Sequence, residues 1–351
     1  MGNNIVLNIG SSSTGERLTW GAAANGHAFI SGCSGTGKSY SLKKLIRQLP
    51  DLGVRCIVLD ASNDWAGLAT PPVLTGEVAA AIDVVDVKDS SFSINPLHPL
   101  RLSDDFIEDW NDVSFRLADT MQVAYTLPRV QSVYLMNAIY EYAHSKKEAK
   151  TIPRFLHWAE TVLEKDRRKR IEISLARLDH LSRTIHCSES SYQWNLGSPG
   201  ITVLDFSRVT AEGQQALLVE LILGELWSQR LAIGNGQHVP IVVVIDECQK
   251  FKFRSNSFLT KILREGRKYH FSGWFGSQWI SDPNTLSALE QAAFRAYFRP
   301  EAGNLHKLAK TLAAGDKKKE VRYEKTLAKL GIGQFLYHTP SGHPVVANVG
   351  K

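Results

Sequence analysis

The stretch Gly32-Cys33-Ser34-Gly35-Thr36-Gly37-Lys38-Ser39 has the spacing G-x-x-x-x-G-K-[ST]. It follows the apolar run His27 to Ser31 (HAFIS) and leads into a helical pattern beginning near Lys38. Strand, glycine loop and helix in that order make a phosphate cradle. The glycines let backbone N–H groups converge on an anion, and the helix N-terminus adds its dipole. With glycine at about 7% of residues, a random chain of this length would match about once in a hundred. The stretch therefore predicts an α/β nucleotide-binding fold, with Gly32, Cys33, Ser34, Gly35, Thr36, Gly37, Lys38, Ser39 and Tyr40 around the nucleotide. Lys38 brings a cation to the β- and γ-phosphates, and Ser39 a hydroxyl ligand for Mg²⁺.

The rest of the chain suits such a fold. It has 351 residues, 43% hydrophobic and 22% charged, which excludes disorder, collagen and coiled coil and allows one large domain or two. No apolar run reaches the ~18–20 residues of a membrane span, and MGNNIVLNIG is not a signal peptide, so a cytoplasmic protein is expected. Cys33, Cys56, Cys187 and Cys248 form no CxxC pair, which argues against a zinc site and a disulfide scaffold. A net charge of +6 is compatible with a nucleic-acid partner without demanding one.

Short β-branched runs alternate with helix-length stretches, the pattern of a parallel sheet buried on both faces. The strand candidates are His27 to Ser31, Val54 to Asp60, Ile201 to Asp205, Val239 to Asp246 and Phe271 to Gly276. Between 103 and 193 the apolar spacing becomes helical and charge is dense, as in EKDRRKR at 164–170, so this part reads as a helical insertion. It divides the core into residues 1–102 and 194–351. The tail carries a helix around Asn304 to Ala313, a basic stretch DKKKEVRYEK and a hairpin, QFLYH and PVVANV flanking TPSG and His343.

The apolar run Ile241 to Ile245 ends on Asp246 and Glu247, as a Walker B strand does. Asp246 is placed to hold Mg²⁺ and Glu247 to polarise the attacking water. Gln278 ends the strand expected beside the phosphate-loop strand and is a candidate sensor, or an ordinary strand-end glutamine. Arg264 and Arg267 lie just before that strand, either as arginines donated to a neighbouring subunit or as an exposed basic helix end.

Together these residues resemble the HerA and FtsK division of P-loop ATPases, ring motors that move DNA, and their relatives in conjugation and type IV secretion. The resemblance runs through LNIG, TGERLTW and NGHAFISGCSGTGKSYSLKKLI, then VLDASNDW, FSINPL, ITVLDFS, LREGRKYHFSGWFGSQ and GIGQFLYHTPSGHPVVANV. It implies a RecA-like P-loop NTPase core with a mainly parallel sheet, helical insertion and C-terminal β-hairpin, working with ATP and Mg²⁺. By the same resemblance Arg267 is the better arginine-finger candidate and Arg264 the second. Only about 25 residues precede the first core strand, too few for the N-terminal barrel of HerA. In this minimal form the chain looks most like the ATPase modules of DptH-type and other phage-defence systems.

The expected activity is ATP-driven translocation of DNA by a homo-hexamer, with a separate effector or nuclease chain as partner and no stable membrane insertion. A secretion motor acting on polypeptide and an ATP-gated scaffold are the alternatives. Lys250, Lys252 and Arg254, and Lys317, Lys318 and Lys319, are candidates for sequence-independent backbone contacts, although such runs are usually solvated faces. Trp274 and Trp279 read as core aromatics rather than base-stacking platforms.

Overall fold

In the central strands, alternate side chains belong to opposite hydrophobic clusters. Ile57, Leu59, Val243, Ile245, Phe271 and Phe275 enter one; Cys56, Val58, Val242, Val244 and Trp274 enter the other. A strand projects successive side chains to opposite faces, so a continuously apolar run demands cover on both. The computed structural model describes residues 5–22, 26–65, 82–102, 105–145, 148–232, 239–279, 282–338 and 344–349.

The chain opens with β1 (Val6–Ser12), β2 (Arg17–Gly21), β3 (Ala28–Ser31), α1 (Lys38–Ile46), β4 (Arg55–Asp60) and β5 (Ile82–Asp86). Five helices follow: α2 (Trp110–Tyr125), α3 (Arg129–Ser145), α4 (Ile152–Thr161), α5 (Lys165–Arg170) and α6 (Glu172–Thr184). Next come β6 (Gly200–Asp205), α7 (Glu212–Ala232), β7 (Ile241–Ile245), α8 (Phe258–Glu265) and β8 (Phe271–Ser277). The tail comprises α9 (Pro283–Leu289), β9 (Phe294–Phe298), α10 (Ala302–Ala313), α11 (Lys317–Ala328), β10 (Gln334–His338) and β11 (Pro344–Asn348).

All eleven strands join one sheet in the order β2-β1-β11-β10-β9-β3-β8-β7-β4-β6-β5. The seven from β9 to β5 are parallel, and β10, β11, β1 and β2 extend them antiparallel. All five expected strands form, within two residues of the bounds read from the sequence. The hairpin strands form too; the turn TPSG and His343 lie outside the described residues. Four strands were not anticipated. β1 and β2 form the far antiparallel edge, β5 is a partly exposed parallel edge, and β9 carries Arg295 inside a five-residue run.

One face is covered by α1 through Leu42, Leu45 and Ile46, the other by α7 and the helices around it. Helix α7 is buried along most of its length, as a helix packed between a sheet and further helices must be. Met121, Leu135, Phe155 and Leu178, from four helices of the 103–193 segment, share its cluster with Ile57 and Val243 of the sheet. The basic run at 164–170 is largely used internally. Arg167 makes a bidentate pair with Glu141, Arg168 donates to the Glu160 carbonyl at 2.7 Å, and Arg170 stacks on Tyr134. Trp274 is buried, with its indole N–H on the Gly26 carbonyl at 2.8 Å, and Trp279 packs half-buried on the core.

His27 sets the start of the phosphate-loop strand. Its Nδ1 accepts from the Gly273 N–H at 3.0 Å, tying β3 to β8, and burial lowers its pKa from 6.5 to about 4. Between those values the unfolded chain holds a proton that the folded chain refuses. The stabilisation is therefore complete above pH 6.5 and is lost as the pH falls toward 4, by on the order of 2–3 kcal/mol. Urea denaturation across that range should show the slope in the natural chain and a flatter one in His27→Gln; equal slopes would clear His27 of the effect.

Candidate nucleotide site

Strand β3 ends at Ser31 on the carboxyl edge of the parallel sheet, where ligands of open α/β folds bind. From there the Gly32 N–H donates to the Ser277 carbonyl at 3.2 Å and the Cys33 N–H to the Arg299 carbonyl at 2.9 Å. The loop is thus anchored to the strand ends on both sides. Gly32, at φ 155°, runs so close to Phe298 that an added Cβ would lie 2.5 Å from the phenylalanine Cβ. Gly37 caps α1 at φ 101° without a side-chain hydrogen bond, and the first turn of α1 holds no acidic residue. Uncapped N–H groups at a helix start, unopposed by carboxylates, suit a phosphate.

Lys38 is buried and donates to the Cys33 carbonyl at 2.9 Å. Burial depresses its pKa, while Asp246 and Glu247 push it back up. The ammonium is therefore poised against an acceptor that a phosphate oxygen can replace. The Ser39 hydroxyl donates to Asp246 Oδ2 at 2.7 Å, and Asp246 Oδ1 accepts the Glu247 N–H at 3.0 Å. Desolvation raises the Asp246 pKa, and the hydrogen bond from Ser39 opposes that rise most strongly. A hydroxyl and a carboxylate side by side fit Mg²⁺, which takes few protein ligands and fills its octahedron with phosphate oxygens and water.

Glu247 adopts a left-handed conformation, φ 60°, unusual outside glycine and a mark of strain at working sites. Its carboxylate is held on both sides. Gln278 Nε2 donates to Oε1 at 2.7 Å and Gln249 Nε2 to Oε2 at 2.9 Å. Gln278 reaches Glu247 because β8 lies between β3 and β7. Gln249 is not among the residues expected from the sequence; nothing in its type or spacing marks it, and only the short helical turn Cys248–Lys250 swings it back. The other strand-end acids are engaged elsewhere: Asp60 accepts from Ser62 and Trp65, Asp205 from Ser207, and Asp86 from the Lys88 N–H and the Arg208 guanidinium.

Arg264 and Arg267 are not part of this cluster. Both are exposed, and they precede Phe271 at the opposite end of β8, about 20 Å of strand away from Ser277. Tyr40 is 52% exposed on α1, and Ser34 and Gly35 are exposed on the loop. Of the expected DNA contacts, Lys252 donates to Thr126 Oγ1 at 2.6 Å and Arg254 to the same atom at 3.5 Å; Lys317 pairs with Glu320 and Lys319 with Asp316. Among the described residues, no helix is long and apolar enough to cross a membrane.

Residues 6–105 match the family model described as helicase HerA-like C-terminal. Over the whole chain the fold is similar to that of solved VirB4 and TrwB structures. VirB4 of Thermoanaerobacter pseudethanolicus superposes with a TM-score of 0.76 at 16% identity, covering 100% of this chain and 97% of that one. The bacterial conjugative coupling protein TrwBdeltaN70 gives 0.65 at 13%, covering 97% and 88%. TrwB in complex with ADP and Mg²⁺ gives 0.63 at 13%, covering 97% and 89%. Among curated proteins no relative matches. The resemblance to HerA/FtsK-type ATPases and the RecA-like fold read from the sequence are borne out.

Gly276 offers a direct check on the Ser39–Asp246 pair, because an added Cβ would lie 2.3 Å from Asp246 Oδ1. Gly276→Ala should displace that carboxylate, costing about 1–3 kcal/mol of stability. A Mg²⁺ titration of nucleotide hydrolysis should then show a higher metal requirement and at least about tenfold lower turnover; an unchanged titration would mean that Asp246 does not serve the metal.

Proposed function

We propose that this chain is a HerA/FtsK-type P-loop ATPase, an ATP-driven ring motor that translocates or remodels DNA as the ATPase component of a DNA-processing or phage-defence system. One observation carries the reading: Lys38, Ser39, Asp246, Glu247 and Gln278, from three separate strands, converge at one sheet edge. Lys38 and the N–H groups of the loop bind the phosphates of ATP, and Ser39 with Asp246 holds Mg²⁺. The ion, when bound, neutralises charge on the β- and γ-phosphates. Glu247 is the base for the attacking water. Each carboxylate oxygen keeps an acceptor site beside its amide donor, so Glu247 takes the proton while Gln278 and Gln249 hold its orientation.

Arg267 supports an oligomer. At the far end of β8 it is too distant to serve its own nucleotide, yet exposed to serve a neighbour's. A closed homo-hexamer supplies that neighbour at every site. For DNA, α11 and its C-cap offer Lys318, Arg322, Lys325 and Lys329 on one exposed face, at the spacing of a phosphate-tracking stripe. Segment 103–193 is the helical insertion and the surface for a separate effector chain, with Phe115, Val130 and Val133 exposed on α2 and α3. The likeness to a conjugative coupling protein favours a second reading, a conjugation or secretion motor, in which a polypeptide replaces duplex DNA as the substrate.

The test is ATPase turnover with and without duplex DNA. Stimulation severalfold, abolished in Lys38→Ala and Glu247→Gln, is expected; a chain indifferent to DNA but stimulated by polypeptide would favour the second reading. A mixing experiment addresses the arginine: Lys38→Ala and Arg267→Ala, each inactive alone, should regain up to about a quarter of natural activity when combined, because some interfaces then pair two intact residues. No recovery in mixed rings would place Arg267 outside the neighbour's site.

A further inference from the structure

The turn between α11 and β10, Leu330-Gly331-Ile332-Gly333, lies against the phosphate loop. The Gly333 N–H donates to the Thr36 carbonyl at 2.9 Å, and a Cβ on Gly37 would be 3.2 Å from the Gly333 nitrogen. The turn is fixed from its other sides as well. Gln334 Oε1 accepts the Gly331 N–H at 2.9 Å, and the Gly333 carbonyl accepts the Val349 N–H at 2.9 Å, with Gly333 itself at φ 76°. On this pinned turn sits Ile332, 81% exposed, more than any other large hydrophobic side chain among the described residues. Leu330, two positions before it, is buried in the core.

An isolated exposed apolar side chain is ordinary on a mobile loop, where it costs nothing to place. Here hydrogen bonds and close contacts hold the turn beside the atoms that would bind phosphate. Tyr40, two residues beyond Lys38 on α1, is the other large exposed side chain next to the loop. Phosphates seated on the Gly37–Ser39 N–H groups leave the nucleoside to extend away from the cradle, where an apolar surface must meet the base.

We propose that Ile332 is a base-contacting residue: the C-terminal hairpin presents it to the nucleobase of the nucleotide bound by the phosphate loop, with Tyr40 as the second apolar contact. The assignment rests on the ATPase reading and deepens it. It makes β10 and β11 part of the nucleotide site, with the Gly333–Thr36 bond fixing the distance between phosphate cradle and base surface. It also separates two recognitions that one ligand combines, phosphate by backbone N–H groups and base by apolar contact.

Isothermal titration of the full chain with MgADP and with inorganic triphosphate distinguishes the two. Ile332→Asp should weaken MgADP binding by about tenfold or more and Ile332→Ala by about three- to tenfold. Triphosphate affinity should be unchanged in both, and the KM for ATP should rise in step with the loss of MgADP affinity. Val321→Asp, at a 53% exposed position on α11, is the control and should move neither ligand. Unchanged MgADP affinity in Ile332→Asp would overturn the proposal. So would an equal loss for triphosphate, which would mean the turn acts only by shaping the loop through Thr36. A natural chain that binds neither probe would overturn the ATPase reading itself, and the base contact with it.

Discussion

The 2.7 Å hydrogen bond from Ser39 to Asp246 joins residues 207 positions apart, and the rest of the site is arranged around it. It requires the starts of α1 and of the turn after β7 to meet, although β8 lies between β3 and β7 in the sheet. Gly276 of β8 makes that meeting possible, because its missing side chain is the space that Asp246 Oδ1 fills. Once Asp246 is placed, Glu247 must turn back through a left-handed conformation, and its carboxylate falls between Gln249 and Gln278.

Helix α7 transmits the same order toward the opposite end of the sheet. Its Glu220 is fully buried, and desolvation raises its pKa to about 7 against the bonds it accepts from Ser257 and Phe258. Those donors form the first turn of α8, the helix that leads through Arg264 to Arg267. A buried carboxylate on a helix N-terminus is costly unless both oxygens are satisfied, so α8 is held in one orientation. At the next turns of α7, Glu225 accepts from Ser191, and Arg230 donates to the Tyr269 and Val239 carbonyls. Thr126, at the end of α2, receives Lys252 and Arg254 from the segment after β7. Two side chains that charge alone suggested for DNA thus tie the 103–193 helices to the segment that follows β7.

Central elements were legible because burial leaves a plain trace. Strands covered on both faces are buried nearly end to end, as β4, β6, β7 and β8 are, and each carries a run or cluster of apolar residues that shows it. Edges leave a weaker one. β5 is half exposed and β2 alternates, so neither stands out from loop sequence, while β9 hides an arginine within five residues. The loop glycines and Lys38 could be read for a different reason: phosphate binding constrains residue type at fixed spacing. Gln249 and Ile332 answer to no such rule, since a glutamine and an isoleucine are common and their roles arise from where the backbone carries them.

Sequence alone determined the phosphate loop, the acid pair Asp246-Glu247 and the parallel core, because local chemistry and two-sided burial restrict which residues those places accept. Tertiary structure decided which of four strand-end acids meets Ser39, which glutamines hold Glu247, and that the C-terminal hairpin abuts the loop through Gly333 and Thr36. It also put Arg267 at the opposite end of β8 from Ser277 and the phosphate loop. The reason is physical: strand order and the direction of each crossover are set by packing over hundreds of residues, and no short stretch of sequence encodes a neighbour that it meets only after folding.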